Sequence, residues 1–255
     1  MKKRQKTKYV LVTGSAGAVG RPVCRWLLER GYRVRGFDRR PTPHVEDHEV
    51  ADLADRERVR RAVEGMDAVI HLAAFRDDAD FLDHLLEPNV RGLYHVCDAA
   101  RHGGVRRLVL ASSLQAVEGH GWRSGTIRIE DGPRPVNHYA LTKVWAELLG
   151  EMYARCYGLS AVSVRIGWLP RDVADAQRLG RHEIGPDVYL SHNDAGRFVG
   201  CCVESPSPAP GEFAVVFATS RPANRTILDL EPALRVLGYE PQDTWPEGLA
   251  FSLET

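Results

Sequence analysis

Tyr139 and Lys143 lie four residues apart in Tyr139-Ala140-Leu141-Thr142-Lys143, where a segment of helical periodicity begins. On a helix that spacing puts both side chains on one face, about one turn apart. A phenol has a pKa of about 10 and is a poor base near neutrality. A cation within about 6 Å favours the phenolate. The phenolate can then take the proton of an alcohol while the carbinol carbon gives up hydride. Lys143 is the only lysine after Lys8 in a chain that otherwise uses arginine. A guanidinium is larger and forked, and cannot act as a compact point charge. The plainer reading, an ordinary exposed i,i+4 pair, loses ground once a hydride acceptor has a place to bind.

That place is the segment Thr13-Gly14-Ser15-Ala16-Gly17-Ala18-Val19-Gly20, which follows the apolar run Tyr9–Val12. If a dinucleotide binds here, Gly14 allows the tight turn, Gly17 lets the backbone approach a diphosphate and Gly20 lets the helix pack against the strand. Ala16, Ala18 and Val19 complete the loop, and the helix N-terminus supplies N–H groups and partial positive charge for phosphates. Three glycines alone are a weak signal. Position strengthens it: a strand before, a helix after, and Asp38 eighteen residues past Gly20 at the end of the second strand. A carboxylate there accepts hydrogen bonds from both adenosine ribose hydroxyls and repels a 2′-phosphate, which favours NAD over NADP. Arg39 and Arg40 follow directly, and an arginine beside the acid could receive that phosphate. Asp52 and Leu53 could flank the adenine; Asp52 could equally cap a helix. Lys143 can also hold the nicotinamide ribose.

The elements that must position these residues alternate. Strands are expected at Tyr9–Val12, Arg33–Phe37, Asp67–Leu72, Arg107–Ala111, Ser160–Ile166 and Phe213–Phe217, with a short one before Asp52. Helical spacing falls at Arg21–Glu29, Ala54–Glu64, Asn89–Arg101, Tyr139–Tyr157, Asn193–Glu204 and Ile227–Leu237. Continuous apolar strands alternating with helices predict an α/β fold, a doubly wound parallel sheet of Rossmann type with its ligand at the carboxyl ends of the strands. Residues 1–166 are expected to form the NAD-binding domain and 167–255 a small C-terminal substrate-binding portion, with 192–217 returning to the Rossmann core. The stretch Leu169–Tyr189, with scattered charge and two glycines, is expected in the substrate site.

Composition excludes other classes. The 255 residues carry 34 basic and 34 acidic side chains, so a polyanion-binding role, which usually needs excess basic charge, is not expected. The basic cluster Lys2, Lys3, Arg4, Lys6 and Lys8 reads as a solvated tail. No apolar run approaches the ~18 residues of a membrane span, and no signal peptide is visible. The five scattered cysteines, Cys24, Cys97, Cys156, Cys201 and Cys202, read as reduced core thiols of a cytoplasmic protein. His44, Glu46, Asp47 and His48 have the composition of a metal site but lack the order that supports zinc hydrolysis, and no metal is expected. His71 is expected to pack under the cofactor, while His120, His138 and His192 could each border the site.

Taken together, Gly14-x-x-Gly17-x-x-Gly20, Asp38, Asp52-Leu53, His71-Leu72-Ala73-Ala74, Asn89, Ser112-Ser113, Tyr139-x-x-x-Lys143 and Val164-Arg165-Ile166-Gly167 resemble the extended short-chain dehydrogenase/reductase family, also called the NAD-dependent epimerase/dehydratase family. Within it, Leu190–Asp194 and Asn89–Tyr94 look most similar to uronate dehydrogenases, which oxidise the anomeric carbon of a hexuronic acid. The resemblance implies Leu72, Ala73, Ala74, Asn89, Ser112 and Ile166 as further cofactor contacts. It also implies Arg178 as a carboxylate-binding residue, although a solvated surface charge is an equal reading. Three departures affect the substrate end. Leu114 stands where Ser, Thr or Asn is usual, so the hydrogen bond to the reacting oxygen must come from Ser113, Gln115 or water, and Ser113 is expected. Trp168 replaces a small polar residue. The loop after Ala74 carries Phe75-Arg76-Asp77-Asp78, which places Arg76 near the substrate where a serine would be expected.

Two enzymatic readings follow: an NAD-dependent oxidation of a sugar hydroxyl, on a uronic acid or related anionic sugar, or an NAD-retaining epimerase of a sugar, nucleoside or nucleotide sugar. A non-catalytic nucleotide sensor is the third reading, and the intact Tyr139/Lys143 pair argues against it. A homodimer is expected, because Asn89–Arg101 and Tyr139–Tyr157 carry apolar residues on more than one face, Leu141, Trp145 and Leu149 besides Val144 and Leu148.

Overall fold

The computed structural model describes residues 8–123 and 125–253. Of the basic start, only Lys8 falls within them; its ammonium donates to the Val203 carbonyl at 3.3 Å. Seven strands form one parallel sheet: β1 (Tyr9–Thr13), β2 (Arg33–Asp38), β3 (Asp47–Val50), β4 (Ala68–His71), β5 (Arg107–Ser113), β6 (Ser160–Ile166) and β7 (Phe213–Ala218), in the order β3-β2-β1-β4-β5-β6-β7. This is the expected doubly wound α/β sheet. Its order reverses between β1 and β4, which opens a crevice at their carboxyl ends. Register brings Thr13 beside Phe37 and His71, and Ser113 beside Ile166.

Successive strand residues point to opposite faces, and both faces are covered. Val10, Val12, Ile70, Val109, Val162, Val164 and Val216 pack under α1 (Gly20–Glu29) and α6 (His192–Glu204), through Val23, Leu27 and Phe198. Leu11, Val69, Leu108, Leu110 and Ala161 pack under α2 (Arg56–Val63), α3 (Leu93–His102) and α4 (His138–Tyr157). This two-sided burial is why the strands read as unbroken apolar runs. Helix α6 approaches α1 closely: a Cβ at Gly196 would lie 2.7 Å from the Trp26 side chain, and one at Gly200 2.0 Å from its ring.

Several boundaries differ from the periodicity. A π-helical stretch, Phe81–Gly92, containing Pro88, runs into α3, so that helical rod starts well before Asn89. A helix α5 (Val173–Arg181), capped by the Asp172 side chain, forms inside the stretch Leu169–Tyr189, for which no helix was expected. The last helix, α7 (Glu231–Leu237), begins four residues later than the pattern suggests, because Ile227 and Leu228 pair with Ile127 and Pro232 sits in the first turn. Asp55, not Asp52, caps α2. All five cysteines are free, but Cys156 is exposed and Cys201 half-buried, against the expectation of five core thiols. Leu149 and Val144 are buried in α4, whereas Leu141, Trp145 and Leu148 are exposed on its outer side.

Candidate active site

A cavity of about 580 Å³ opens along the carboxyl ends of β1, β4, β5 and β6. Its floor at one end is the glycine loop. Gly14 has φ +71°, and a Cβ there would stand 2.6 Å from the Ala73 nitrogen. A Cβ at Gly20 would lie 2.1 Å from the Gly14 carbonyl. Gly20 therefore closes the loop on itself rather than on the strand. Gly17, Ala18 and Val19 line the cavity at the start of α1. A backbone stripped of side chains at a helix N-terminus suits the diphosphate of a dinucleotide. Ala16 uses its N–H to hold the Asp38 carboxylate at 3.1 Å, and the Arg40 N–H holds the other oxygen at 3.1 Å.

The adenosine-side residues lie beyond this cavity, at the ends of β2 and β3. Arg39 is exposed, Asp52 is exposed and accepts from the Ala54 N–H, and Leu53 is buried against Gly92. Leu72, Ala74, Ser112 and Ile166 line the cavity; Ala73 does not, being pressed against Gly14. Asn89 does not line it either. Its amide bonds both backbone groups of Phe75 and the Thr142 hydroxyl, bracing the loop after β4 against α4.

Tyr139, Lys143 and Ser113 converge in the middle. Asn137 caps α4 by accepting from the Ala140 N–H at 2.7 Å, which sets where the helix begins. The Lys143 ammonium is buried, donates to the Ala111 carbonyl at 3.1 Å and stands 5.4 Å from the centroid of the Tyr139 ring. Burial pulls Lys143 down to about 8. Burial also pushes the Tyr139 phenol up to about 12, opposed by a hydrogen bond with Ser113 and reinforced by the charge of Asp77. The sequence leads one to expect a phenol already activated by its lysine. Burial dominates instead, and Lys143 is not among the groups that lower the phenol. Behind this pair, Glu147 accepts from the Ser112 hydroxyl at 2.6 Å and takes the Arg165 guanidinium side-on at 2.9 and 2.9 Å, with all three residues buried. His71 bonds the Thr13 hydroxyl at 2.7 Å, and burial followed by the charge of Lys143 lowers it to about 3, so it is neutral.

The far end of the cavity is built from loops and α5. Arg76, Leu114, Gln115, Trp168 and Arg178 all line it. So do Asp77, from the loop after Ala74, and Arg171, Asp175 and His182, from the stretch Leu169–Tyr189 expected in the substrate site, although none was singled out; Trp122 also lines it and was missed. His182, not His120, His138 or His192, is the histidine at this cavity. Asp175 organises the end: it accepts from Arg171 Nε at 2.9 Å, Arg178 Nη2 at 2.6 Å and the Trp168 indole at 3.3 Å. Burial pushes its carboxyl up, but the two arginines prevail and hold it below the ordinary range. Arg171 Nη1 reaches across to Asp77 at 3.1 Å. Burial, opposed by Arg178 and reinforced by Asp175, raises Asp77.

Known proteins place this arrangement. The chain is 33% identical over 258 residues to an NAD-dependent glucose-6-phosphate dehydrogenase of Haloferax volcanii, covering 93% of this chain and 94% of that protein. It is 36% identical over 239 residues to a uronate dehydrogenase of Pseudomonas syringae pv. tomato, covering 92% and 82%. A mutant uronate dehydrogenase from Agrobacterium tumefaciens, solved in complex with NAD, superposes with a TM-score of 0.79 at 28% identity, over 93% of this chain and 85% of that one. The NAD dependent epimerase/dehydratase family matches residues 10–169. On the family match over residues 10–169 and these relatives, the chain belongs to the NAD-dependent epimerase/dehydratase family, and NAD is its cofactor.

Proposed function

We propose that the protein is a sugar dehydrogenase that oxidises a hydroxyl of a uronic acid or related anionic sugar. The observation that carries this reading is the Tyr139 phenol and Ser113 lining one cavity, with the Lys143 ammonium 5.4 Å from the phenol ring. NAD, when bound, accepts the hydride that leaves the carbinol carbon. Tyr139, as phenolate, takes the hydroxyl proton. Ser113 hydrogen-bonds the reacting oxygen, since Leu114 has no group to offer. Lys143 supplies the positive charge that favours the phenolate, and its burial makes that charge effective. Gly14, Ala16, Gly17, Ala18, Val19 and Gly20 would hold the diphosphate. Asp38 and Arg39 would hold the adenosine ribose, Asp52 and Leu53 would flank the adenine, and Lys143 would hold the nicotinamide ribose. Leu72, Ala73, Ala74, Ser112 and Ile166 would flank the nicotinamide side, with Asn89 acting through the Phe75 loop.

Residues up to 166 carry the cofactor in this reading, and 167–255 the substrate, with 192–217 returning to the sheet. Arg76, Gln115, Trp168 and Arg178 would contact the sugar. The glucose-6-phosphate and uronate dehydrogenase relatives favour an anionic sugar. Free thiols suit a reducing, cytoplasmic setting. No helix among the described residues is long and apolar enough to cross a membrane. The exposed Leu141, Trp145 and Leu148 on α4, with Tyr94 on α3, would form the seam of a homodimer; a monomeric mass by light scattering at micromolar concentration would end that part. The test of function is a panel of uronic acids, neutral aldoses and nucleotides with NAD and NADP in parallel. NADH from an anionic sugar is expected, and faster with NAD. Stoichiometric bound NAD with no net NADH would turn the reading to the epimerase.

A further inference from the structure

The far end of the cavity already contains an anion. Asp77 puts its carboxylate 3.1 Å from Arg171 Nη1, and Arg178 acts on it electrostatically. Asp77 and Asp175, the two carboxylates around these arginines, differ in kind. Asp175 is buried and fixed: it caps onto Asp172 through its N–H and takes one hydrogen bond from each guanidinium. The Asp77 side chain is 63% exposed and sits in the loop after β4, at φ +62°. Asp175 thus holds the two guanidiniums as a pair, while Asp77 only rests against them. A guanidinium carries five N–H donors; Arg171 spends Nε on Asp175 and Nη1 on Asp77, and Arg178 spends Nη2 on Asp175. The remaining donors suit a second anion with two or more oxygens.

We propose that Asp77 is a stand-in: it competes with the anionic terminus of the sugar for the seat beside Arg171 and Arg178. Arg171 is then a specificity-determining residue together with Arg178, and Asp77 its internal competitor. Arg171 has no place in the redox chemistry, Asp77 touches it only through its charge on the Tyr139 phenol, and both come from loops that the apolar sheet does not constrain. An exposed ion pair contributes little to stability, so the exchange is cheap. A sugar lacking an anionic terminus has nothing to offer the arginines in return. The terminus can be a carboxylate or a phosphoryl group, because both present the oxygens a guanidinium pair recognises. This rests on the reading of the cavity as a sugar site, and it concerns binding rather than hydride transfer.

The test is equilibrium binding to the full chain with saturating NAD, in a Tyr139→Phe background so that no sugar is oxidised during the titration. Glucuronate, glucose 6-phosphate and glucose are titrated, followed by the fluorescence of the cavity tryptophans Trp122 and Trp168 and by calorimetry. At least one anionic sugar should bind ten-fold or more tightly than glucose, and the stronger of the two names the terminus. Arg171→Gln should lower the anionic-to-neutral affinity ratio by ten-fold or more. Asp77→Asn should raise that ratio several-fold. Variants that move both sugars in parallel, or an Asp77→Asn variant with an unchanged or lower ratio, would overturn the proposal. NADH assays on the same Arg171 and Asp77 variants with Tyr139 in place separate the two readings. Arg171-dependent binding without NADH leaves this inference standing and removes the dehydrogenase. NADH without Arg171 dependence does the reverse.

Discussion

The two ends of the cavity are held by different physics. The redox end is bolted down. Lys143, Glu147, Ser112 and Arg165 are buried, and the Glu147–Arg165 pair leaves its side chains 6% and 2% exposed. The sugar end is a rim of ion pairs: Arg178 is 62% exposed and Asp77 63%. Groups that must be aimed within fractions of an ångström sit where displacement costs burial, and groups that must release a ligand sit where water competes. Precision and turnover are separated in space.

The largest test of the contrast lies at the redox end. Tyr139→Phe should lower kcat for sugar oxidation by roughly 10²- to 10⁴-fold, the usual contribution of a positioned base, with NAD affinity by calorimetry largely kept. Equal activity in the variant would dissolve the distinction. Glu147→Ala strands the Arg165 guanidinium in the core and should cost about 3–5 kcal/mol in urea unfolding. Lys143 runs the other way. Its pKa near 8 lies below the ordinary lysine value, so the unfolded chain binds the proton more tightly between pH 8 and that value. Stability should therefore rise as pH increases from about 8 toward 10. Lys143→Met should raise the melting temperature, by an amount corresponding to about 3 kcal/mol, while stopping oxidation; a melting temperature that falls would contradict the buried charge. The smallest effect belongs to the surface outside the cavity. Arg123 and Glu183 form an exposed pair, and Arg123→Gln should leave the urea midpoint unchanged within error.

The same contrast governs what could be read in advance. The glycine loop, Asp38 and Tyr139/Lys143 are legible because each is a local spacing on one element, and the sheet order follows from the alternation of apolar strands and helices. Glu147 was within reach by the same logic, since Tyr139, Lys143 and Glu147 fall at i, i+4 and i+8 on one helix face. Arg171 and Asp77 were not, because they meet across a separation of 94 residues. Trp122 comes from a loop with no periodicity to mark it. Resemblance located Arg178 but not its partner Asp175, because a shared carboxylate is a tertiary fact. The start of α5 was hidden by charges that read as irregular and that cap and pair only once folded.

Two consecutive residues at the end of β5 each grip a different residue of α4. The Ala111 carbonyl accepts from Lys143, and the Ser112 hydroxyl donates to Glu147. The strand terminus is in effect a two-tooth key, and a deletion or insertion of one residue within it would misalign both teeth together. The far end of the cavity is tied back to this key through Gln115, whose N–H donates to the Ser113 hydroxyl and whose side-chain oxygen accepts from Asn137, the cap of α4. A change at Gln115 would therefore be felt where the key meets the helix.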